Sequence, residues 1–232
     1  MASEISEHES WKPFYESVPV TVIVGPESSK RTFYINEDLL TRNSQYFRAA
    51  LNGNFSEGQT KNFRLEEDDP SAFERFVRYL IHSPCSGTND APSSLFPEDF
   101  PSEQVKFYVL GDKLLAEGFK ERIATDLKDF MKDEMTQMSS LLTLAKSVYQ
   151  LTSKSGGATI RNVLTWYCAV GMGCPRYSTG WYSPVLMFRQ WDKDEKELFL
   201  DCGLEEFQKD VLDMLCRTSG DPPEPQLAER SW

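Results

Sequence analysis

Residues 54–80, NFSEGQTKNFRLEEDDPSAFERFVRYL, carry most of the information about the fold. Phe63 and Leu65 alternate with Asn62, Arg64 and Glu66, the period of a half-buried strand. An acidic turn follows, and Asp69-Pro70 opens a helix: Asp as cap, and Pro at the first helical position, where its missing N–H costs nothing. Phe73, Phe76, Val77, Leu80 and Ile81 then recur at i, i+3, i+4, i+7 and i+8, one full helical face. The run Glu66 to Asp69 reads as a solvated strand-to-helix turn rather than a cation site, since no second ligand cluster accompanies it. Before the strand stands a short loop with an isolated Phe55-Ser56-Glu57.

Upstream, PVTVIVG ends a Val-rich strand at Gly25, PESSK turns the chain, and RTFYI returns it with Phe33 and Ile35 on one face, a hairpin pattern. Asn36 is placed as an N-cap, with Glu37 and Asp38 at the positive end of a helix. Leu40, Phe47 and Leu51 give that helix its apolar stripe, and Gly53 ends it. Downstream of residues 82–101, rich in Pro, Ser, Gly and Asn, helical text resumes at Ser102. It carries Val105, Tyr108, Val109, Leu114 and Leu115, then Ile123, Leu127, Phe130 and Met131, with Gly118 expected to divide it in two. SSLLTLAKSVYQL and ATIRNVLTWYCAV form two more helices around Gly156-Gly157. A last helix over 204–215 buries Phe207 and Val211.

The whole chain has 232 residues, 40% hydrophobic and 12% aromatic, enough for a core. No apolar run approaches the roughly 20 residues that cross a bilayer, so no membrane partner is expected. The formal net charge of −11, with no basic run, argues against nucleic acid. The acidic, polar first ten residues resemble neither a secretory signal nor a transit peptide, which points to a cytoplasmic or nuclear protein. Five cysteines, Cys85, Cys168, Cys174, Cys202 and Cys216, are irregularly spaced and read as reduced thiols rather than zinc ligands. With two histidines, no phosphate-binding loop and no nucleophile–base pair, no catalytic residue, cofactor site or metal site is assigned. The Gly171–Gly173 pattern fails as a dinucleotide fingerprint because Arg176 stands where a third glycine would fall.

Strand, strand, helix, strand, helix, then a helix pair is not the regular alternation of a doubly wound sheet. In VTVIVG, FYINEDLLTRNSQYFRAALNGNFSE, FRLEEDDPSAFERFVRYL and FYVLGDKLLAEGFKERI, the stretch from Val20 to about Met131 resembles the BTB/POZ domain, a protein-interaction module of ubiquitin-ligase adaptors and transcription factors. The resemblance implies an α+β fold: a small β-sheet packed with helices, followed by a helical extension. The expected division is a flexible segment over 1–18, the BTB/POZ domain over 19–135, the extension over 136–217 and a flexible tail over 218–232. Two departures from the family pattern stand out: Pro19 where Asp is usual before the first strand, and Asn36 where His is usual at the first helix. Such drift is similar to that of divergent fungal members. It removes a charge used by corepressor-binding members and implies a weak homodimer or a monomer.

The resemblance implies that the chain is not an enzyme and works by binding proteins, as an adaptor or scaffold. In adaptors of cullin-RING ubiquitin ligases an apolar-x-Glu motif sits between the first helix and the third strand, the place Phe55-Ser56-Glu57 occupies here. Phe55 and Glu57 are therefore the candidate protein-binding residues, with a cullin as candidate partner. From the residues alone, Phe55 packing its own loop with Glu57 merely solvated stays open. The alternative function is a self-associating, corepressor-type regulator without a DNA-binding domain, and an enzyme with an unrecognised site is a distant third. Tyr177, Trp181, Tyr182, Phe188 and Trp191 form either a recognition surface or a satellite core.

Overall fold

The computed structural model describes residues 17–82, 101–133, 138–171 and 193–217. The aromatic segment from Tyr177 to Trp191, Arg176 of the failed dinucleotide pattern, and Cys85 and Cys174 lie outside them. The described residues fall into two compact units, divided between Lys120 and Glu121, with residues 101–105 belonging to the second.

The first unit is built on a three-stranded sheet of order β2-β1-β3. Strands β1 (Pro19–Val24) and β2 (Arg31–Asn36) are antiparallel, and β3 (Asn62–Leu65) lies parallel to β1 on its other side. Val20, Val22 and Val24 alternate inward with Ile35, Phe63 and Leu65, and all six are buried. Pro19 is tolerated in the central strand because it is the first residue of β1. The β3 register begins only at Thr21, so no ladder bond is lost there.

The expected single helix over 37–52 is two: α1 (Glu37–Asn43) and α2 (Gln45–Asn52). Ser44 stands between them in extended conformation, buried, ending one helix and capping the next. Its Oγ accepts from the Phe47 N–H at 3.2 Å and donates to the Leu114 carbonyl at 2.6 Å. The N–H groups of Gln45 and Tyr46 point to the carbonyls of Leu115 and Leu114 at 3.2 and 3.4 Å. The donor-rich start of α2 thus meets the acceptor-rich end of α5 (Pro101–Lys113), each supplying what the other's terminus lacks. Asn36 is the N-cap of α1, but its side chain makes no capping bond; Ser17 Oγ accepts from the Asp38 N–H instead, at 3.0 Å.

Helix α4 (Pro70–His82) starts as its sequence demands, with Asp69 Oδ1 accepting from the Ser71 N–H at 2.8 Å. Its buried face is narrower than the apolar spacing implied: Ala72, Phe73, Phe76 and Leu80 are buried, Val77 is half-buried and Ile81 is 45% exposed. Val109, expected in the core, is half-buried as well, while Phe107, Tyr108 and Leu110 are buried. The division between α5 and α6 (Glu117–Asp133) does not fall at Gly118. It falls at Leu115, which adopts left-handed φ of 49°. Gly118 lies inside α6, where a Cβ would stand 2.5 Å from the Tyr79 hydroxyl, so the glycine is there for close approach.

The second unit is helical. Besides the distal part of α6 it holds α7 (Met138–Leu151), α8 (Ala158–Gly171), α9 (Lys193–Leu200) and α10 (Glu205–Arg217). Phe207 and Val211 are buried, as the helical spacing requires, and Phe199 of α9 packs on Phe207 at 5.8 Å between ring centroids. Tyr167 and Tyr149 report on this core. Burial pushes the Tyr167 phenol up to about 12, and burial together with the Asp210 carboxylate pushes Tyr149 up too. The unfolded chain releases these protons near pH 10, the folded chain only at higher pH. Stability is therefore intact below pH 10 and falls as pH climbs towards 12, by about 1.4 kcal/mol per pH unit for Tyr167. Urea titrations across that window should show the slope, and Tyr167→Phe should flatten it; an unchanged slope refutes the assignment.

Candidate functional site

Phe55 and Glu57 do not sit in a loop. They open a short helix, α3 (Ser56–Thr60), for which Phe55 is the N-cap residue with extended backbone. Its carbonyl accepts the first helical bond, from the Gln59 N–H at 3.2 Å. Thr60 Oγ1 donates to the Ser56 carbonyl at 2.9 Å. The helix ends on Lys61, which takes the left-handed conformation (φ 52°) so that its N–H returns to the Glu57 carbonyl.

This small element is held at three points. At Gly58 the backbone lies so close to the C-terminal turn of α2 that any Cβ would collide with the Ala50 carbonyl oxygen. The Lys61 carbonyl accepts from the Thr21 N–H at 2.9 Å, tying the helix end to the sheet. Lys61 Nζ donates to Glu37 Oε1 at 2.8 Å, tying it to the start of α1. A five-residue helix has no stability of its own, so its order comes from these contacts.

Against that fixed frame, Phe55 is 60% exposed. What is covered leans on Gly53, where a Cβ would come within 2.8 Å of the ring. Glu57 is exposed, and its Oε2 accepts from Ser56 Oγ at 3.0 Å. Its own backbone N–H, then the Ser56 hydroxyl, hold the carboxyl below the usual carboxylate range, so Glu57 is ionised. Half-buried Tyr46 is shifted upward, first by burial and then by the negative charge of Glu57, and it also feels Lys113 and Asp68. Those two form an ion pair at 2.7 Å. The arrangement is an exposed aromatic ring and a fixed carboxylate, with a phenol and an ion pair in electrostatic reach of that carboxylate. A large exposed ring beside an ionised carboxylate has the composition of an interface anchor with a polar rim.

Sequence reasoning singled out Phe55 and Glu57 as candidates in a loop; it did not show the helix that carries them, nor Tyr46 and Lys61 beside them. The available signal was Gly58, a glycine with no turn to serve. For other chemistry the described residues offer little. No cluster of three or more potential metal ligands occurs among them, and no helix among them is long and apolar enough to cross a membrane. Asp69 caps α4 and Asp68 is paired, which accounts for two of the four acidic residues in the turn. The Cys168 thiol is pushed well up by burial, the opposite of a nucleophile's environment.

Comparison with curated proteins gives no match. Comparison with family models matches residues 15–98 to the BTB/POZ domain. Strands β1 to β3 and helices α1 to α4 all lie within that span. The α+β sheet-and-helix unit and the family match lead to one conclusion: this chain carries a BTB/POZ domain, a module that binds other proteins and self-associates.

Proposed function

We propose that the protein is an adaptor that docks a cullin scaffold through Phe55 and Glu57. The observation that carries the reading is a large apolar side chain left 60% exposed on an element that is otherwise tied down at three points. A rigid presenter lowers the ordering cost of binding, so an exposed Phe there has more to gain from a partner than one on a mobile loop. Tyr46 and the Asp68–Lys113 pair extend the same surface with polar groups suited to a rim.

The test is capture of a cullin N-terminal domain, paired with thermal unfolding. Phe55→Ala is expected to weaken capture by roughly 2 kcal/mol or more, the scale of an interface anchor. It should leave the melting temperature nearly unchanged, since most of the ring is already in water. Glu57→Ala should weaken capture less, because a rim carboxylate recovers its water when unbound. Wild type that captures no cullin, or a Phe55→Ala chain that melts early, would sink the proposal.

A further inference from the structure

Serine is a preferred N-cap residue, yet α3 does not use Ser56 as one. The N-cap position belongs to Phe55, whose ring cannot accept a hydrogen bond, and the helix has no side-chain cap. Ser56 stands one place later, exposed, and its hydroxyl donates instead to Glu57 Oε2 at 3.0 Å. An uncapped start is a poor choice for a five-residue helix, which has little stability to lose. The same order of residues sets a ring, a hydroxyl and a carboxylate side by side on the surface.

That hydroxyl does two things for Glu57. A glutamate side chain rotates freely in water and gives up that freedom when a partner fixes it; a bond made beforehand meets part of the cost. The bond also favours the ionised form. The Glu57 backbone N–H first, and the Ser56 hydroxyl second, hold the carboxyl below the usual range. A carboxylate has about four lone-pair sites, so one bond to Ser56 leaves it able to accept from a partner. The charged and titratable groups around it are held elsewhere. Lys61, at the far end of α3, is paired with Glu37 of α1 at 2.8 Å. Tyr46 of α2 feels Glu57 along with Lys113 and Asp68, which pair with each other at 2.7 Å.

We infer that Ser56 is a positioning residue: its hydroxyl orients the Glu57 carboxylate for the partner and does not itself touch the partner. The inference rests on the adaptor reading and adds a rule to it. The residue between the Phe55 anchor and the Glu57 carboxylate has to carry a short hydroxyl side chain. Threonine keeps the donor at the same distance along the side chain, and alanine removes it.

The experiment is a double-mutant cycle on capture of a cullin N-terminal domain by the full chain, read as dissociation constants. Ser56→Ala should weaken capture about 3-fold, the lower part of the range for one hydrogen bond, because this bond is exposed. Ser56→Thr should restore it. With Glu57→Ala already in place, Ser56→Ala should change nothing further, since no carboxylate is left to orient. An NMR titration of the Glu57 carboxyl in the free chain reads the same bond without a partner. Ser56→Ala should raise the midpoint part of the way towards the usual range, because the backbone N–H remains, and Ser56→Thr should not raise it. The sign carries over to binding. Capture that depends on ionised Glu57 is lost as pH falls through that midpoint, and in Ser56→Ala the loss begins at higher pH.

Equal weakening by Ser56→Ala with and without Glu57 would mean that Ser56 contacts the partner, and it overturns the inference. So does unchanged capture by Ser56→Ala, or an unchanged Glu57 midpoint. With wild-type capture intact, any of these outcomes removes the role of Ser56 and leaves the adaptor proposal standing. Wild type that captures no cullin removes both.

Discussion

Phe76→Ala is expected to lower the unfolding free energy of the first unit by about 4 kcal/mol. The ring is completely buried in α4 and lies edge-on to Phe73 at 5.8 Å and to Phe119 at 5.3 Å, with Tyr79 stacked at 6.5 Å. Truncation removes the ring's transfer free energy and leaves a cavity that three other aromatics, pinned by their own contacts, cannot readily fill. Aromatic neighbours in these geometries add about 0.5–1.5 kcal/mol beyond area. Phe76→Leu, which keeps most of the volume, should recover more than half of the loss. Chemical denaturation followed by far-UV circular dichroism measures both. A loss below about 1.5 kcal/mol would mean that the site collapses freely and that α4 is not the keystone of this core.

The second large effect is expected in the helical unit. Arg161 is buried, yet it carries a charge. Its Nη1 donates to Glu206 Oε1 at 2.7 Å, its Nη2 to the Thr152 carbonyl at 2.6 Å and its Nε to Thr152 Oγ1 at 3.2 Å. Its guanidinium lies 4.2 Å from the Tyr149 ring centroid, and the Tyr149 hydroxyl donates to Asp210 at 2.7 Å. Arg161, in the first turn of α8, therefore joins the end of α7 to the first turn of α10, and the Tyr149 ring that it covers reaches the second turn of α10. Arg161→Ala should cost about 3–5 kcal/mol, because the Thr152 carbonyl loses its donor and the Tyr149 ring its cover. Arg161→Lys should restore little, since one ammonium cannot serve three acceptors in a planar fork. Glu206→Gln should cost far less: its side chain is half-exposed and an amide oxygen still accepts. Thermal unfolding of the three variants decides it. Equal losses for Arg161→Ala and Glu206→Gln would contradict the fork and leave a simple charge pair.

Much of this architecture was legible in the residues. The strands at β1 and β3 were readable because Val20, Val22, Val24, Phe63 and Leu65 alternate, and the start of α4 because Asp69-Pro70 has one sensible use. The sheet order was not, because the parallel neighbour of β1 arrives some forty residues later and no local period encodes it. The break at Ser44 was hidden for a related reason. Nothing around it interrupts helical periodicity, and the serine leaves the helix to reach a carbonyl seventy positions away. Leu115 misled in the opposite sense: a good helix former in a left-handed conformation, imposed by the tertiary site, while nearby Gly118 offered the more obvious break. At the candidate site Phe55 and Glu57 were visible because they lie two positions apart. Tyr46 joins Glu57 only through the packing of α2 against α3, which composition cannot show.

The Ser44 clasp also sets a schedule for synthesis. Until Leu114 and Leu115 leave the ribosome, the first N–H groups of α2 and the Ser44 hydroxyl have none of the carbonyls they bond in the native state. The sheet could pair as soon as β3 emerges, but without the clasp it would hold an unfinished helix layer. At ~5–20 residues per second, a nascent chain therefore spends several seconds with Phe47, Phe63 and Phe73 made but not enclosed. During that interval the growing chain is most in need of chaperone cover, and a ribosome stalled after β3 has emerged but before Leu115 has is expected to present a sticky, protease-sensitive stub rather than a smaller folded domain.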